Sequence, residues 1–597
     1  MEIRNVAIIA HVDHGKTTLV NKLIESSLKD SHTKLEDRVL DSDDLEKERG
    51  ITILAKNTSI YYKDYKINIL DTPGHSDFGG EVERIMHLVD GVILVVDAFE
   101  GVMPQTRFVL SKALEKDIKP IVIINKIDRE GSDPKRVLNE VYDLFIDLGS
   151  ELEDLDFPVL YGSALKGLMS DSYESVEENI NLVFDTIIDT IKAPVVEIDK
   201  PFLFQPTLID YNNYVGKMGI GKIYRGNVKV GDHLKVIKND LTETTFRVQK
   251  IFQNEGISQV EIKEAFAGDI ISIAGYNDID VGDSINYITE SIKLKDISVS
   301  SPTVEMNFSV NNSPFKGLDG THLTSSKLLN RLNYEANKDV SLKVTNTNLK
   351  DTWTVSGRGE LHLSILIENM RREGFEFLVS KPKVVLKEID GKIFEPYEEV
   401  YIECPDESSG TIIEALSKKG GKLEEMITTN NFTKLKFISP SESLIGFMTK
   451  FLTITKGYGI LNHSFLEYRE KIKDYDNNRK TGVLISNVDG FSTEYAIKRL
   501  EDRGVMFVKP RTKVYEGMIV GENNRDNDLV VNVTQERQLT NIRQANKDQT
   551  VVLKSAKIFT LEESLSFIND DELVEITPKN IRLRKRFLKE YERKKDK

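Results

Sequence analysis

Cysteine is nearly missing from this sequence: Cys404 stands alone in 597 residues. No disulfide can close within the chain, and neither a cysteine framework nor a thiolate zinc cluster is available. A reducing, cytoplasmic setting is the expectation. Long apolar runs are missing as well. No stretch approaches the ~18 consecutive apolar residues of a membrane helix, and the opening residues pass from Arg4 into the short run Val6–Ala10 without a signal-like core. Neither export nor membrane insertion is expected. Basic charge is in deficit, with 81 Lys and Arg against 96 Asp and Glu for a net −15, which excludes indiscriminate coating of nucleic acid by the whole surface. What is present suits ordinary soluble cores: 39% hydrophobic residues mixed with 30% charged ones. The length divides into about four or five domains.

The first apolar run, Val6–Ala10, reads as a buried strand and leads directly into His11-Val12-Asp13-His14-Gly15-Lys16-Thr17-Thr18. Leu19, Val20, Leu23 and Ile24 follow at helical spacing, so the order is strand, loop, helix. A phosphate loop of the form Gly-x4-Gly-Lys-Ser/Thr is matched at Gly15, Lys16 and Thr17, with Ala10 in place of the first glycine. Such a loop surrounds an anionic phosphate with backbone N–H groups, extends a lysine to the β and γ phosphates, and places a hydroxyl on Mg²⁺. A second short strand, Ile67–Leu70, ends in Asp71-Thr72-Pro73-Gly74-His75, where Asp71 would hold Mg²⁺ and the Gly74 N–H would sense the γ-phosphate. Read alone, that segment is also an ordinary turn.

A third strand, Pro120–Ile124, delivers Asn125-Lys126-Ile127-Asp128. The Asp128 carboxylate can accept hydrogen bonds from guanine N1–H and the exocyclic amine, donors that adenine lacks in this arrangement. Asn125 would bind the purine edge and the Lys126 stem would cover the ring face. A fourth strand, Pro158–Tyr161, delivers Gly162-Ser163-Ala164, whose backbone could contact the guanine oxygen. The expected nucleotide contacts are therefore Asp13, His14, Gly15, Lys16, Thr17, Thr18, Gly74, Asn125, Lys126, Ile127, Asp128, Ser163 and Ala164. The ligand set expected for Mg²⁺ is Thr17, Thr52 and Asp71. GTP and GDP are the expected occupants. Guanosine tetraphosphate is an alternative, because its base and β-phosphate would satisfy the same contacts.

Between the first two motifs, Asp41–Ile53 could be a solvated helix leading into a strand. Its segment Arg49-Gly50-Ile51-Thr52-Ile53 resembles switch I of the translational GTPases. The resemblance implies that Thr52 ligates Mg²⁺ and closes over the γ-phosphate, and that His75 is the catalytic group orienting the attacking water. His11 and His14 flank the phosphate loop and are expected to shape it.

Beyond residue 195, alternating strands and helices give way to closely spaced strands and glycines, as in Gly219–Asp232. This stretch resembles the second domain of elongation factors. Val355–Glu360 and the helical stripe Leu363, Leu366, Ile367 and Met370 resemble the third domain of elongation factor G, and 395–468 repeats an α/β arrangement. The expected fold is multidomain α/β and β. It comprises a doubly wound P-loop GTPase domain at 1–195, a β-barrel at 196–298, ferredoxin-like α/β domains at 299–388 and 389–480, and a C-terminal domain at 481–597.

Elongation factor G itself carries a further domain for which no room is visible here. Gly521–Asn532, Leu539–Arg543 and Asp570–Arg586, with Asn311–Phe315 and Ser356–Met370, instead resemble the TypA/BipA family. The resemblance implies a ribosome-dependent GTPase linked to large-subunit assembly and to growth under cold or other stress. It further implies ribosomal RNA of both subunits and tRNA as partners, a monomer, and no membrane association. Ten basic against three acidic side chains from Lys579 to Lys597 make that tail either an RNA contact or a solvated terminal helix. Arg525, Arg543, Arg582, Arg584, Lys585 and Arg586 are the candidate RNA contacts. Two rivals remain: a LepA-type elongation factor, whose C-terminal sequence differs from these blocks, and a non-catalytic scaffold whose nucleotide only fixes a conformation.

Overall fold

The computed structural model describes residues 2–27, 44–49, 52, 55–73, 79–116, 118–149, 155–175, 179–256, 258–297, 301–429, 432–471, 478–536 and 552–596. The chain forms two compact units, Met1–Ser301 with Tyr334–Ser341, and Pro302–Asn333 with Leu342–Lys597. Among the described residues no helix is long and apolar enough to cross a membrane.

The first unit opens with β1 (Glu2–Ala10), α1 (Lys16–Ser27), α2 (Asp44–Arg49), β2 (Lys56–Tyr62) and β3 (Tyr65–Asp71). It continues through α3 (Gly79–Ile85), β4 (Gly91–Asp97), α4 (Pro104–Leu114), β5 (Lys119–Asn125), α5 (Pro134–Asp147), β6 (Val159–Ser163), β7 (Leu168–Ser170) and α6 (Leu182–Thr190). The seven strands lie in the order β2-β3-β1-β4-β5-β6-β7. Neighbours from β3 to β6 are parallel, while β2 and β7 pair antiparallel at the edges. Side chains of β1 divide between two cores: Val6, Ile8 and Ala10 pack with α1 and α6, whereas Ala7 and Ile9 pack with α3, α4 and α5. A strand covered on both faces needs a continuous apolar run, which is why Val6–Ala10 shows no alternation.

Polar residues interrupt these strands where the following β domain docks. Asn5 Nδ2 donates to Asp90 Oδ2 at 2.8 Å and to the Gly268 carbonyl at 3.1 Å. Lys66 pairs with Asp269, whose other oxygen accepts from Asn68 Nδ2 at 3.2 Å. Burial pushes the Lys66 ammonium below its ordinary pKa against the pull of Asp269. The β domain itself is an eight-stranded sheet spanning residues 203–287. Phe204, Ile223, Val236, Phe246, Ile251, Ile273 and Ile285 from its successive strands meet in one core, so the sheet curls into a barrel.

Beyond residue 301, Val304–Val310, the helix Ser325–Lys338, Lys343–Asn346, Thr352–Gly357, the helix Glu360–Arg372 and Phe377–Val379 follow the order β-α-β-β-α-β. The first strand lies between the third and the fourth, and the second lies outside the third, as in ferredoxin-like folds. Lys392–Pro405, Asp406–Ser417, Lys422–Thr429, Phe432–Pro440, Phe447–Ile454 and Ile460–Glu470 repeat this topology. Leu363, Leu366, Ile367 and Met370 are buried, each no more than 2% exposed, so the helical stripe is core.

The segment 481–597, expected as one C-terminal domain, contributes strands to three sheets, the smallest being the pair Gly490–Phe491 and Lys513–Val514. Val483–Ser486, Gly504–Met506, Ile519–Asn523 and Leu529–Val531 make a four-stranded sheet. The hairpin Glu572–Ile576 and Ile581–Lys585 instead extends the first ferredoxin-like sheet, pairing Phe377↔Ile576 and Val379↔Val574. Covering an otherwise open strand edge is the physical gain.

Acidic side chains buried by this hairpin are paired internally. Glu572 is fully buried and accepts from Arg479 Nη1 at 3.1 Å, Arg479 Nη2 at 2.9 Å and Lys585 Nζ at 2.9 Å. Burial alone would raise its carboxyl, but Arg479 and Lys585 outweigh it and hold the group below its ordinary 4.5. With a depressed folded pKa, the contribution is complete above 4.5 and is lost as pH falls through the folded value. Glu572→Gln is expected to cost about 3–5 kcal/mol at neutral pH. It should also remove part of the acid dependence, both effects being checked by urea unfolding between pH 7 and 3.

Candidate nucleotide site

The carboxyl ends of β1, β3, β4, β5 and β6 converge on one edge of the parallel sheet, where the chain order reverses across β1. After β1 the chain turns through His11–Gly15 with positive φ at Asp13 (65°) and Gly15 (94°), then enters α1 at Lys16. A Cβ at Gly15 would lie 2.3 Å from Asn125 Nδ2, so both the backbone angle and the space require glycine.

Asn125 is 2% exposed, and both ends of its amide are occupied within the protein. Nδ2 donates to the His14 carbonyl at 2.9 Å, and Oδ1 accepts from the Ala164 N–H at 2.9 Å. Asn125 thereby ties the phosphate loop to the turn after β6, while its amide nitrogen carries a second proton that can still donate to the purine edge. Neighbouring Ile127 donates its N–H to the Gly162 carbonyl at 3.2 Å, locking the same two loops. Ser163 and Ala164 are buried, at 2% and 1% exposure, and present mainly backbone.

Asp128 is the accessible carboxylate of this cluster, with Lys166 Nζ 2.8 Å from Oδ2. Lys166 foremost, with help from Ser163, holds its carboxyl below the usual range, so it is an ionised acceptor at neutral pH. Lys126 adopts positive φ (60°) and sends its ammonium to Asp97 Oδ2 at 2.7 Å, which leaves its stem along the site.

On the phosphate side, Lys16 Nζ stands 3.1 Å from Asp71 Oδ1, with the two side chains 7% and 1% exposed. Neither the Lys16 ammonium nor either Asp71 oxygen has a hydrogen-bond partner. Burial raises the Asp71 carboxyl from its ordinary value, and Lys16 opposes that rise. Thr17 Oγ1 and Thr52 Oγ1 lie 3.4 Å apart, bringing the switch I hydroxyl to the first residues of α1. Two hydroxyls and a carboxylate with unsatisfied oxygens are hard donors that fit Mg²⁺. Thr18 is half-buried on the first turn of α1, and Asp13 is exposed at the loop tip. Gly74 and His75 lie outside the described residues, as does Arg543.

Sequence reasoning missed the polar group at the end of β4. His14 is fully buried, its Nδ1 accepts from the Asp97 N–H at 3.3 Å, and its Nε2 lies 3.5 Å from Glu100 Oε2. The His14 ring first, then Arg129 at 3.1 Å, hold Glu100 down to about 2. An acid ending the apolar strand Gly91–Asp97 was the available signal. Thr72 was missed too: its hydroxyl donates to the Ile8 carbonyl at 2.8 Å and fixes the end of β3 beside β1.

The RNA candidates divide by exposure. Arg525 and Arg586 are exposed. Arg584 is 1% exposed and donates to Asn312 Oδ1 at 2.7 Å and to the Lys585 and Arg586 carbonyls. Lys585 is 2% exposed, within 2.9 Å of Asp528, Asp571 and Glu572. These two are withdrawn as RNA contacts, because their charges are spent inside the fold. Arg582 is largely covered, lying over the Phe315 ring and near Asp319 and Glu575.

The chain matches known families over most of its length. Residues 1–193 match the family described as elongation factor Tu GTP binding domain, and 216–285 match elongation factor Tu domain 2. Residues 392–479 match the elongation factor G C-terminus, and 481–590 the TypA/BipA C-terminal domain. Proteins named large ribosomal subunit assembly factor BipA align over nearly the whole chain. That of Bacillus subtilis (strain 168) is 52% identical, covering 100% of this chain and 97% of its own. Those of Haemophilus influenzae and Escherichia coli (strain K12) are each 48% identical, covering 99% of this chain and 97% and 98% of theirs. A crystal structure from Thermus thermophilus shares the fold at TM-score 0.54 and 15% identity, covering 79% of this chain and 97% of that one.

Asn125→Ala leaves the His14 carbonyl and the Ala164 N–H unpaired, at about 1–3 kcal/mol for each buried group. GDP and GTP affinity are expected to fall together by at least tenfold in this variant. Titration with a fluorescent guanine nucleotide checks this; affinity unchanged within twofold would contradict the bridging role.

Proposed function

The chain belongs to the TypA/BipA family of translational GTPases, and on that premise we propose that it hydrolyses GTP on the ribosome, in assembly of the large subunit. Carrying this reading is the convergence of Lys16, Thr17, Thr52 and Asp71 at the sheet edge that also holds Asp128. A nucleotide enters with its base on Asp128 and the Lys126 stem, and its phosphates over the backbone of the 11–15 loop and the start of α1. Lys16 exchanges Asp71 for phosphate oxygens. Thr17, Thr52 and Asp71 would hold Mg²⁺, which when bound supplies charge neutralisation at the β and γ phosphates.

In the reaction, water attacks the γ-phosphorus, the bond from that phosphorus to the β–γ bridging oxygen breaks, and GDP and inorganic phosphate leave. His75 orients the water in our reading. In our reading Thr52 registers the outcome: its hydroxyl lies 3.4 Å from that of Thr17, where it would be held by Mg²⁺ and the γ-phosphate and released when that phosphate leaves. No covalent intermediate is needed, since positioning and electrostatic stabilisation carry phosphoryl transfer.

Ribosomes are expected to raise GTP turnover at least tenfold, and His75→Ala to abolish that rise while GDP affinity stays within about twofold. Steady-state phosphate release with and without ribosomes checks this. Turnover indifferent to ribosomes, or unchanged in His75→Ala, would favour a nucleotide-held scaffold. For the RNA contacts we propose Arg525 and Arg586. Reversing both to Glu should weaken cosedimentation with ribosomes, with a shallower salt dependence, whereas Arg584→Glu should destabilise the fold, seen as a lowered Tm.

A further inference from the structure

A cavity of about 400 Å³ lies within the first unit, walled by β2, β3 and α3 on one side and by barrel strands on the other. None of the nucleotide-site residues above lines it. The Arg84 side chain on α3 borders this space at 2% exposure, and its Nε and Nη1 have no hydrogen-bond partner. Asn57 Oδ1 and Thr58 Oγ1, on the same wall, are also buried without a partner. Their neighbours are already satisfied: Glu81 Oε2 accepts from the Ala55 N–H at 2.9 Å, and Asn254 Nδ2 donates to the Asn57 carbonyl. A guanidinium buried with unmade hydrogen bonds is costly, and a space this size is far larger than a single water requires.

We propose that this cavity binds a small monocarboxylic acid with an apolar body. The planar fork of Arg84 matches a carboxylate, and the Asn57 and Thr58 oxygens can accept from a hydroxyl or amide beside it. Leu70, Leu88 and Ile270, each no more than 1% exposed, form the wall for the apolar part. A phosphate dianion suits the space less well than a single negative charge, because the Glu81, Asp210 and Asp339 carboxylates also line it. A bound acid would touch α3 and the barrel at once, joining the helix that follows the Asp71–Gly74 motif in the chain to the neighbouring domain. The inference goes beyond the GTPase reading and does not depend on it.

Isothermal titration of the full-length chain with octanoate, and with octan-1-ol as the uncharged control, tests the assignment. Saturable binding of octanoate at one site per chain is expected, with at least tenfold weaker binding of the alcohol. Arg84→Gln should weaken octanoate binding at least tenfold. Leu208→Trp keeps Arg84 but fills the space from the barrel side, and should block binding even if Arg84→Gln fails to fold. No saturable octanoate binding would mean that the cavity holds water only and would overturn the proposal. Equal binding by the alcohol, or by folded Leu208→Trp protein, would overturn it as well.

Discussion

The nucleotide site depends on one side chain that touches no phosphate. Asn125 spans from the His14 carbonyl to the Ala164 N–H, holding the phosphate loop at a fixed distance from the turn that follows β6. The same side chain occupies the space a Cβ at position 15 would need. The glycine of the loop and the asparagine of the base motif are therefore one constraint, written at two places more than a hundred residues apart. Buried amide bridges of this kind are sensitive to loss, because each end leaves an unsatisfied partner in a low-dielectric interior. Lys16 and Asp71 sit beside this frame as an ion pair short of hydrogen bonds, ready to change partners.

Much of this was legible in the sequence, for definite reasons. Val6–Ala10 and Pro120–Ile124 are uninterrupted apolar runs, and Ile67–Leu70 is broken only at Asn68, because both faces of a parallel sheet are covered, and each run ends where a functional loop begins. The helical stripe from Leu363 to Met370 announced its burial by spacing alone. Roles that depend on which partner a polar group finds were less visible. Asn125 carries the residue type expected of a base contact, but nothing in the sequence shows that its amide also joins two backbone groups from distant segments. His14 likewise reads as a loop residue, while the structure buries it between Asp97 and Glu100.

Charge at the C-terminal end shows the same limit. Counting Lys and Arg from residue 579 onward marks a basic tail, but a count does not separate charges facing solvent from charges used internally. Strand pairing decides: the register Glu572↔Lys585 and Leu573↔Arg584 carries two of those basic side chains into the fold, where carboxylates and carbonyls receive them. Arg586, one residue past the strand, is exposed. Polar residues within the first sheet follow the same logic, since Asn5, Lys66 and Asn68 break its apolar pattern where the barrel supplies Gly268 and Asp269.

Base recognition by a single ionised carboxylate is the central claim, and one competition measurement tests it most directly. In wild-type protein, GTP should displace a fluorescent GDP analogue far more effectively than ATP or xanthosine triphosphate. Asp128→Asn replaces an acceptor with a group that can also donate, matching the 2-oxo group of xanthine. Its preference should therefore move from GTP to xanthosine triphosphate, while Lys16 and the phosphate loop continue to bind. Unchanged preference for GTP in Asp128→Asn, or displacement by ATP as effective as by GTP in the wild type, would contradict the account.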